Sequence, residues 1–255
     1  MPLDLVTIPC RSDNYAYLLH DAASGATVCI DVPDAAPILE ALAARGWALG
    51  QIWITHHHGD HVEGVAPLRE ATGAQVTGAA ADAHRLPPLD RAVTPGDRLA
   101  IGDQTALVLD TSGHTLGHLA YHLPGAGMVF TADSLMAGGC GRLFEGTPAR
   151  MWDTLSRLAA LPPDTLVCSG HEYTQTNLRF ALSVDPDNPA LRDRADRAAA
   201  ARARGEPTVP VPLAEELATN PFLRAGAAPL RAAMGLPDAP AEQVFAALRA
   251  AKDRF

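Results

Sequence analysis

The chain has 255 residues, 29 acids against 20 lysines and arginines for a formal charge of −9, 47% hydrophobic and 19% charged residues, ten histidines and four cysteines. This length can bury a substantial core and this balance excludes a disordered chain, while the acidic sign argues against a general binder of nucleic acid or anionic membrane. Cys10, Cys29, Cys140 and Cys168 form no C-x-x-C pair, which argues against a thiolate zinc site and a disulfide framework.

Met1-Pro2-Leu3-Asp4 has no basic region followed by an apolar core, and no apolar stretch approaches the roughly 20 residues that span a bilayer. A cytoplasmic monomer with no membrane or nucleic-acid partner is expected. Tyr15 to Leu19 and Thr27 to Val32 bracket the turn-like 21–25 segment and predict a hairpin. Ala35 to Arg45 is an apolar-periodic helix, with Asp34 placed to cap its start and Gly46 to end it. Gln51 to Thr55, Gln75 to Thr77, Thr105 to Asp110, Leu119 to Leu123, Gly127 to Thr131 and Thr165 to Cys168 read as strands. A helix from Ala149 to Ala160 is stopped by Pro162-Pro163. Past Tyr173 the strand signals fade. Thr174 to Val184 and Ala190 to Arg204 are helical, the second with the charge mixture of a solvated face. A proline-dense link through Pro207, Pro210 and Pro212 leads to short helices that end with Ala241 to Arg254. The pattern predicts an α/β or α+β layer structure over residues 1–172 and a small helical domain over 173–255.

Thr55-His56-His57-His58-Gly59-Asp60-His61 directly follows the apolar run Gln51-Ile52-Trp53-Ile54. Its form, T-H-x-H-x-D-H, puts four strong donors for a borderline divalent metal within six residues. The i, i+2 spacing lets His56 and His58 reach one side of an extended segment, and Asp60 and His61 can turn to a neighbouring point as a helix begins. Two adjacent metal positions fit this better than one. His114, Asp133 and His171 also lie in loops just past strand ends, and such loops can converge at one sheet edge. His118, four residues after His114, is placed to be a ligand's partner or an orienting residue. His20, His84 and His122 stand alone and need no special role.

His56-x-His58-x-Asp60-His61 followed by His114, Asp133 and His171 resembles the dinuclear metal signature of the metallo-β-lactamase superfamily. Within it the chain is similar nearly end to end to the glyoxalase II, or hydroxyacylglutathione hydrolase, family. The similarity rests on Asp13-Asn14-Tyr15, Gly139-Cys140-Gly141-Arg142 with Glu145-Gly146-Thr147, Gly170-His171-Glu172-Tyr173-Thr174, Gly205 to Pro210, and Leu248-Arg249-Ala250-Ala251-Lys252-Asp253. The resemblance implies a four-layer αββα sandwich with a C-terminal helical domain. It implies two divalent ions, zinc first, with iron and manganese also suited to His/Asp ligands. His56, His58 and His114 would hold one ion, Asp60, His61 and His171 the other, and Asp133 would bridge. It implies glutathione contacts at Arg142, Phe144, Tyr173, Arg249 and Lys252. Three positions depart from the family's common residues: Arg142 stands where Lys is frequent, Phe144 where Tyr is frequent, and Ala132 where Gly is common. Independently, Arg249 and Lys252 are i, i+3 and share a helix face beside Phe245 and Leu248; Lys252 is the only lysine of the chain.

The implied reaction is thioester hydrolysis of S-(2-hydroxyacyl)glutathione, chiefly S-D-lactoylglutathione, to glutathione and D-lactate, a step of methylglyoxal detoxification. A hydroxide shared by the two ions would attack, oriented by Asp60, and a metal would stabilise the oxyanion. The alternatives are a glutathione persulfide dioxygenase of the same fold and a noncatalytic protein that binds metal or a glutathione conjugate.

Overall fold

The protein is described by a computed structural model, which covers residues 3–255. Its contacts divide the chain into two compact units, Met1–Asp110 with Gly117–Thr131, and Thr111–Leu116 with Ala132–Phe255.

In the first unit, β1 (Asp4–Cys10), β2 (Asn14–Asp21), β3 (Ala26–Ile30), β4 (Gln51–Trp53), β5 (Gln75–Ala79) and β6 (Arg91–Val93) form a sheet in chain order. Its first three strands pair antiparallel and β3 to β6 pair parallel. The parallel half needs crossovers: α1 (Ala35–Arg45) provides the first, the single turn α2 (Gly59–Val62) with α3 (Val65–Thr72) the second, and residues 80–90 the third. Strand β2 is buried at seven of its eight positions, as expected of a strand covered on both faces. The second sheet enters this unit as β7 (Arg98–Ile101), β8 (Gln104–Asp110), β9 (Leu119–Leu123) and β10 (Met128–Ala132), paired antiparallel as β10-β9-β8-β7.

Aromatic contacts place the two sheets face to face. Trp53 of β4 meets Tyr121 of β9 at 5.3 Å between ring centroids, and Tyr17 of β2 meets the edge of Phe130 of β10 at 5.4 Å. Burying a ring such as Phe130 stabilises the fold by about 1.5–3 kcal/mol. The Tyr121 hydroxyl avoids an unmet polar group by donating to the Ile54 carbonyl at 2.6 Å. Parallel pairing of β3 and β4 brings the residues just past both carboxyl ends side by side. Asp31 and the donor run at His56 are therefore neighbours by topology.

Helix α1 spans the predicted residues. The Asp34 carboxylate accepts from the Ala36 amide, and Gly46 closes the helix in the left-handed region at φ 65°. Strand β1 is a finding that the sequence pattern did not reveal, because Pro9 interrupts it; it nevertheless pairs with β2 from Asp4 to Cys10.

The second unit contains β11 (Leu135–Met136) and β12 (Gly139–Cys140), α4 (Pro148–Ala159), β13 (Leu166–Ser169), α5 (Thr174–Val184), α6 (Pro189–Ala203), β14 (Val211–Pro212), α7 (Leu213–Thr219), α8 (Ala228–Ala233) and α9 (Ala241–Lys252). Helices α4 and α9 pack through Trp152 and Phe245, and α5 and α6 through Leu178, Ala181, Leu191 and Ala198. The charged face expected of α6 holds an exception. Arg194 is buried, ion-paired with fully buried Glu216, and donates to the Thr219 hydroxyl at 2.7 Å. Glu216 in turn accepts from the Gly138 amide at 2.9 Å and from Asn220 Nδ2 at 2.8 Å. Helices α6 and α7 thereby hold the β11–β12 turn, and with it the approach to Arg142.

Helix α4 starts with proline at its first position and the Thr147 hydroxyl accepting from the Arg150 amide at 3.3 Å. Thr147→Ala is expected to cost about 1 kcal/mol and to lower Tm by roughly 2–4 °C, read by calorimetry.

Candidate functional site

In the first unit, the run Thr55–His61 leaves β4 and turns into α2. Buried Asp31 adopts φ 55°, a left-handed conformation that Asp tolerates. Its Oδ1 accepts from the Thr55 amide at 2.8 Å, and its Oδ2 accepts from the Thr55 hydroxyl at 2.7 Å and from His61 Nδ1–H at 2.9 Å. Because the Thr55 hydroxyl proton is committed to Asp31, Thr55 Oγ1 accepts from His56 Nδ1–H at 3.0 Å. Both imidazoles thus carry their proton on Nδ1 and present the Nε2 lone pair, the state required of a metal ligand. Donor atoms of Asp31, His56 and His61 lie within 4.8 Å of one another.

His56 Nε2 and His58 Nδ1 lie 3.1 Å apart, close to the separation of about 3.3 Å that two nitrogens take on a tetrahedral ion with bonds of about 2.05 Å. Asn14 Nδ2 donates at 3.0 Å to both the carbonyl and the Oδ2 of Asp60. Asp60 Oδ2 is 3.7 Å from His61 Nε2. His57 turns elsewhere: its Nδ1 is 3.3 Å from Asp82, which also pairs with Arg85. His118 is fully buried and stacks on His56 with centroids 4.7 Å apart, which makes it a partner of a donor rather than one of the run.

In the second unit, Asp133 Oδ2 lies 3.5 Å from His114 Nε2 and 3.3 Å from His171 Nε2. One carboxylate oxygen between two imidazole nitrogens is the arrangement expected of a bridging ligand. His114 Nδ1–H donates to the Arg142 carbonyl at 2.7 Å, which leaves its Nε2 for coordination. The His114 loop is fastened on two sides. Arg150 Nε and the Thr154 hydroxyl each donate to Ser112 at 2.7 Å, and the amides of Phe144 and Glu145 donate to the His114 carbonyl at 3.3 and 3.4 Å. Gly141 admits no side chain, because a Cβ there would fall onto the Asp133 carbonyl. Ala132, immediately before Asp133, sits at φ 41°. A left-handed backbone costs an L side chain about 1–2 kcal/mol, which gives a physical reason for glycine at this position.

All five expected substrate residues belong to the second unit. Arg142 is mostly exposed, and its Nε is 3.5 Å from Asp253. Phe144, 61% exposed, sets its edge 5.3 Å from the His114 ring. Tyr173 stacks on His171 at 4.7 Å. Arg249 and Lys252 lie in the last turn of α9 but in different settings. Arg249 is buried, donates through Nη1 to the Cys140 carbonyl at 2.7 Å and through Nη2 to Asp253 at 3.0 Å, and lies over Phe222. Half-buried Lys252 donates to the Thr176 carbonyl at 3.2 Å. Its burial, and then the guanidinium groups of Arg249 and Arg179, lower its ammonium to about 8. Burial raises the thiols of Cys29, Cys140 and Cys168, and raises Cys10 to about 11, so none is a ready thiolate ligand.

Asp31, Asn14, Thr55 and Asp253 carry roles that no spacing rule assigned. No local signal marks Asp31, whose tie to Thr55 depends on the parallel pairing of β3 with β4.

Facing sheets in the first unit, with His and Asp donors lying just past strand ends within each unit, define a metalloprotein of the metallo-β-lactamase superfamily, and the model of that superfamily matches residues 18–171. Among solved structures, ETHE1 from Myxococcus xanthus is 28% identical, with 99% of this chain and 98% of that one covered at a TM-score of 0.65. TTHA1623 in a di-iron-bound form is 31% identical over 66% of this chain and 91% of its own, at a TM-score of 0.58. Residues 172–255 match the model of the hydroxyacylglutathione hydrolase C-terminus. Full-length relatives named hydroxyacylglutathione hydrolase, from Cereibacter sphaeroides and Rhodobacter capsulatus, are each 63% identical with 100% of both chains covered. The chain belongs to the hydroxyacylglutathione hydrolase family.

Proposed function

We propose that the protein hydrolyses the thioester of S-(2-hydroxyacyl)glutathione, chiefly S-D-lactoylglutathione, releasing glutathione and D-lactate. The observation that carries this reading is the cationic and aromatic set Arg142, Phe144, Tyr173, Arg249 and Lys252 in the unit that also holds His114, Asp133 and His171. Metal donors alone fit many reactions, whereas a metal-bearing unit equipped for an anionic thiol conjugate narrows them. An acidic protein can bind an anion this way because the attraction is local.

In this reading His56, His58 and His114 would hold one divalent ion, Asp60, His61 and His171 the other, and Asp133 would serve both. When bound, the pair supplies a water activated near neutral pH and positive charge for the developing oxyanion. Asp60, oriented by Asn14, aligns the attacking water. Asp31 keeps His56 and His61 in their ligating tautomers. The cations of the second unit hold the glutathione carboxylates so that the thioester carbonyl faces that unit's own donors His114, Asp133 and His171. Zinc suits the His/Asp set, and the di-iron form of TTHA1623 makes iron a second candidate. Residues 1–172 then form the catalytic domain and 173–255 the substrate-binding domain, in keeping with family models that abut at 171/172. We place the enzyme in the cytoplasm as a monomer, where its four buried thiols stay reduced; light scattering on a sizing column tests the monomer. Among the described residues no helix is long and apolar enough to cross a membrane.

Loss of thioester absorbance from S-lactoylglutathione, measured beside elemental analysis of the same sample, tests the reading. Oxygen uptake with glutathione persulfide and no thioester cleavage would replace it with the dioxygenase. Binding without turnover would leave a metal or conjugate binder. A pH dependence also follows. Lys252 is cationic below about pH 8 and neutral above it, so KM is expected to rise about threefold or more from pH 7 to 9, and Lys252→Ala to remove that rise.

A further inference from the structure

We propose that Asp253 is a positioning residue of the glutathione-binding end, its carboxylate aiming the guanidinium groups of Arg142 and Arg249 at the anionic substrate. The proposal rests on the thioesterase reading and assigns a role to a residue for which charge alone predicts the opposite effect. An acid beside a site for an anion should weaken binding.

The geometry argues otherwise. Asp253 Oδ1 accepts from Arg249 Nη2 at 3.0 Å and faces Arg142 Nε at 3.5 Å, an ion-pair distance rather than a hydrogen bond. It therefore joins two segments far apart in sequence, the strand end at Cys140–Arg142 and the end of α9. Arg249 has three constraints: Nη1 on the Cys140 carbonyl, Nη2 on Asp253, and its face on Phe222 at 5.1 Å. Its Nε is buried with no hydrogen-bond partner among the described residues. Arg142 has one polar side-chain partner among the described residues, Asp253. With its side chain 61% exposed, little else restrains it.

The surroundings explain why an acid is needed. Arg179 and Arg249 lie close enough to Lys252 for their charges to disfavour its ammonium, and Arg142 reaches the same region through Asp253. Without Asp253 the exposed Arg142 would swing away from its neighbours into water, as like charges repel and a long side chain regains rotamer freedom. With it, four cations less one acid keep a positive field, and the planar Arg142 fork is held ready to meet a carboxylate. Asp253 itself is anchored, since its amide donates to the Arg249 carbonyl at 3.0 Å.

The test compares Asp253→Asn with wild type on S-lactoylglutathione, on S-lactoyl-N-acetylcysteamine, which lacks both glutathione carboxylates, and in calorimetric binding of nonhydrolysable S-methylglutathione. Asp253→Asn is expected to raise KM for the glutathione thioester and Kd for S-methylglutathione about tenfold, as loss of one charge-assisted contact implies. kcat should stay within about twofold and kcat/KM for the carboxylate-free thioester should hardly change. Arg142→Ala and Asp253→Asn should combine non-additively in Kd. Tighter or unchanged S-methylglutathione binding, or an equal loss on both thioesters, would overturn the proposal. A wild-type protein that binds S-methylglutathione but cleaves neither thioester would sink the thioesterase reading instead, and the Kd comparison would still decide the role of Asp253.

Discussion

Asp60→Ala is expected to lower kcat for S-lactoylglutathione by about a thousandfold, some 4 kcal/mol of transition-state stabilisation. The magnitude is set by what the carboxylate is asked to do. Losing one preorganised polar group at a developing charge costs about 10²–10³ in kcat, and Asp60 is both a proposed ligand and the group that aligns the nucleophilic water. Asn14 Nδ2 donates to the Asp60 backbone and side chain together, so the carboxylate is aimed before substrate arrives and little energy is spent on ordering it. Asn14→Ala should therefore reproduce a smaller part of the effect, about tenfold, by releasing the same carboxylate without removing it. The measurement requires metal content to be checked in every variant, because a loss of ions would imitate a loss of orientation. An Asp60→Ala protein with both ions bound and more than a tenth of the wild-type rate would show that the water is aligned by other groups.

Much of this was legible in the sequence, for reasons that differ from element to element. The H-x-H-x-D-H run is readable because its donors are local and their spacing alone brings them together, and α1 is readable because Asp34 and Gly46 punctuate an apolar period. Asp31 was not legible. It lies 24 residues before Thr55, and only the parallel pairing of β3 with β4 makes them neighbours. The same holds for Arg194, which belongs by composition to a solvated helix face and is buried because Glu216 waits on α7. The i, i+3 spacing of Arg249 and Lys252 predicts a shared helix face, yet one guanidinium is sunk against Phe222 and the ammonium is left half-exposed. Spacing along one helix fixes a face; depth is fixed by what packs against it. Ala132 shows the converse. Its departure from glycine was visible in the sequence; the left-handed φ explains why glycine is common there, and nothing in the structure explains the alanine.

Asp31→Asn is expected to weaken metal binding by about 10–100-fold, the usual cost of losing a carboxylate behind a ligating histidine, while leaving the fold largely intact. The substitution keeps the volume, and Asn suits φ 55° as well as Asp does. What changes is polarity. With Oδ1 still accepting from the Thr55 amide, the new Nδ2 donors point at His61 Nδ1–H and at the Thr55 hydroxyl. Donor against donor is relieved only if His61 moves its proton to Nε2, where it blocks coordination. The Thr55 hydroxyl, now accepting from the amide, turns its own proton toward His56 Nδ1 and drives that ring into the same wrong tautomer. Turning the amide over moves the clash to the Thr55 amide instead of removing it. One atom thus reverses two ligands. Asp31→Ala separates this from simple destabilisation: it leaves the buried Thr55 and His61 donors unmet, at about 1–3 kcal/mol each, so it should lose stability and metal affinity together. Chelator competition for the metal and urea unfolding of the apo protein read the two quantities separately. Wild-type metal affinity in Asp31→Asn would show that the imidazole tautomers are set by the ions rather than by the carboxylate behind them.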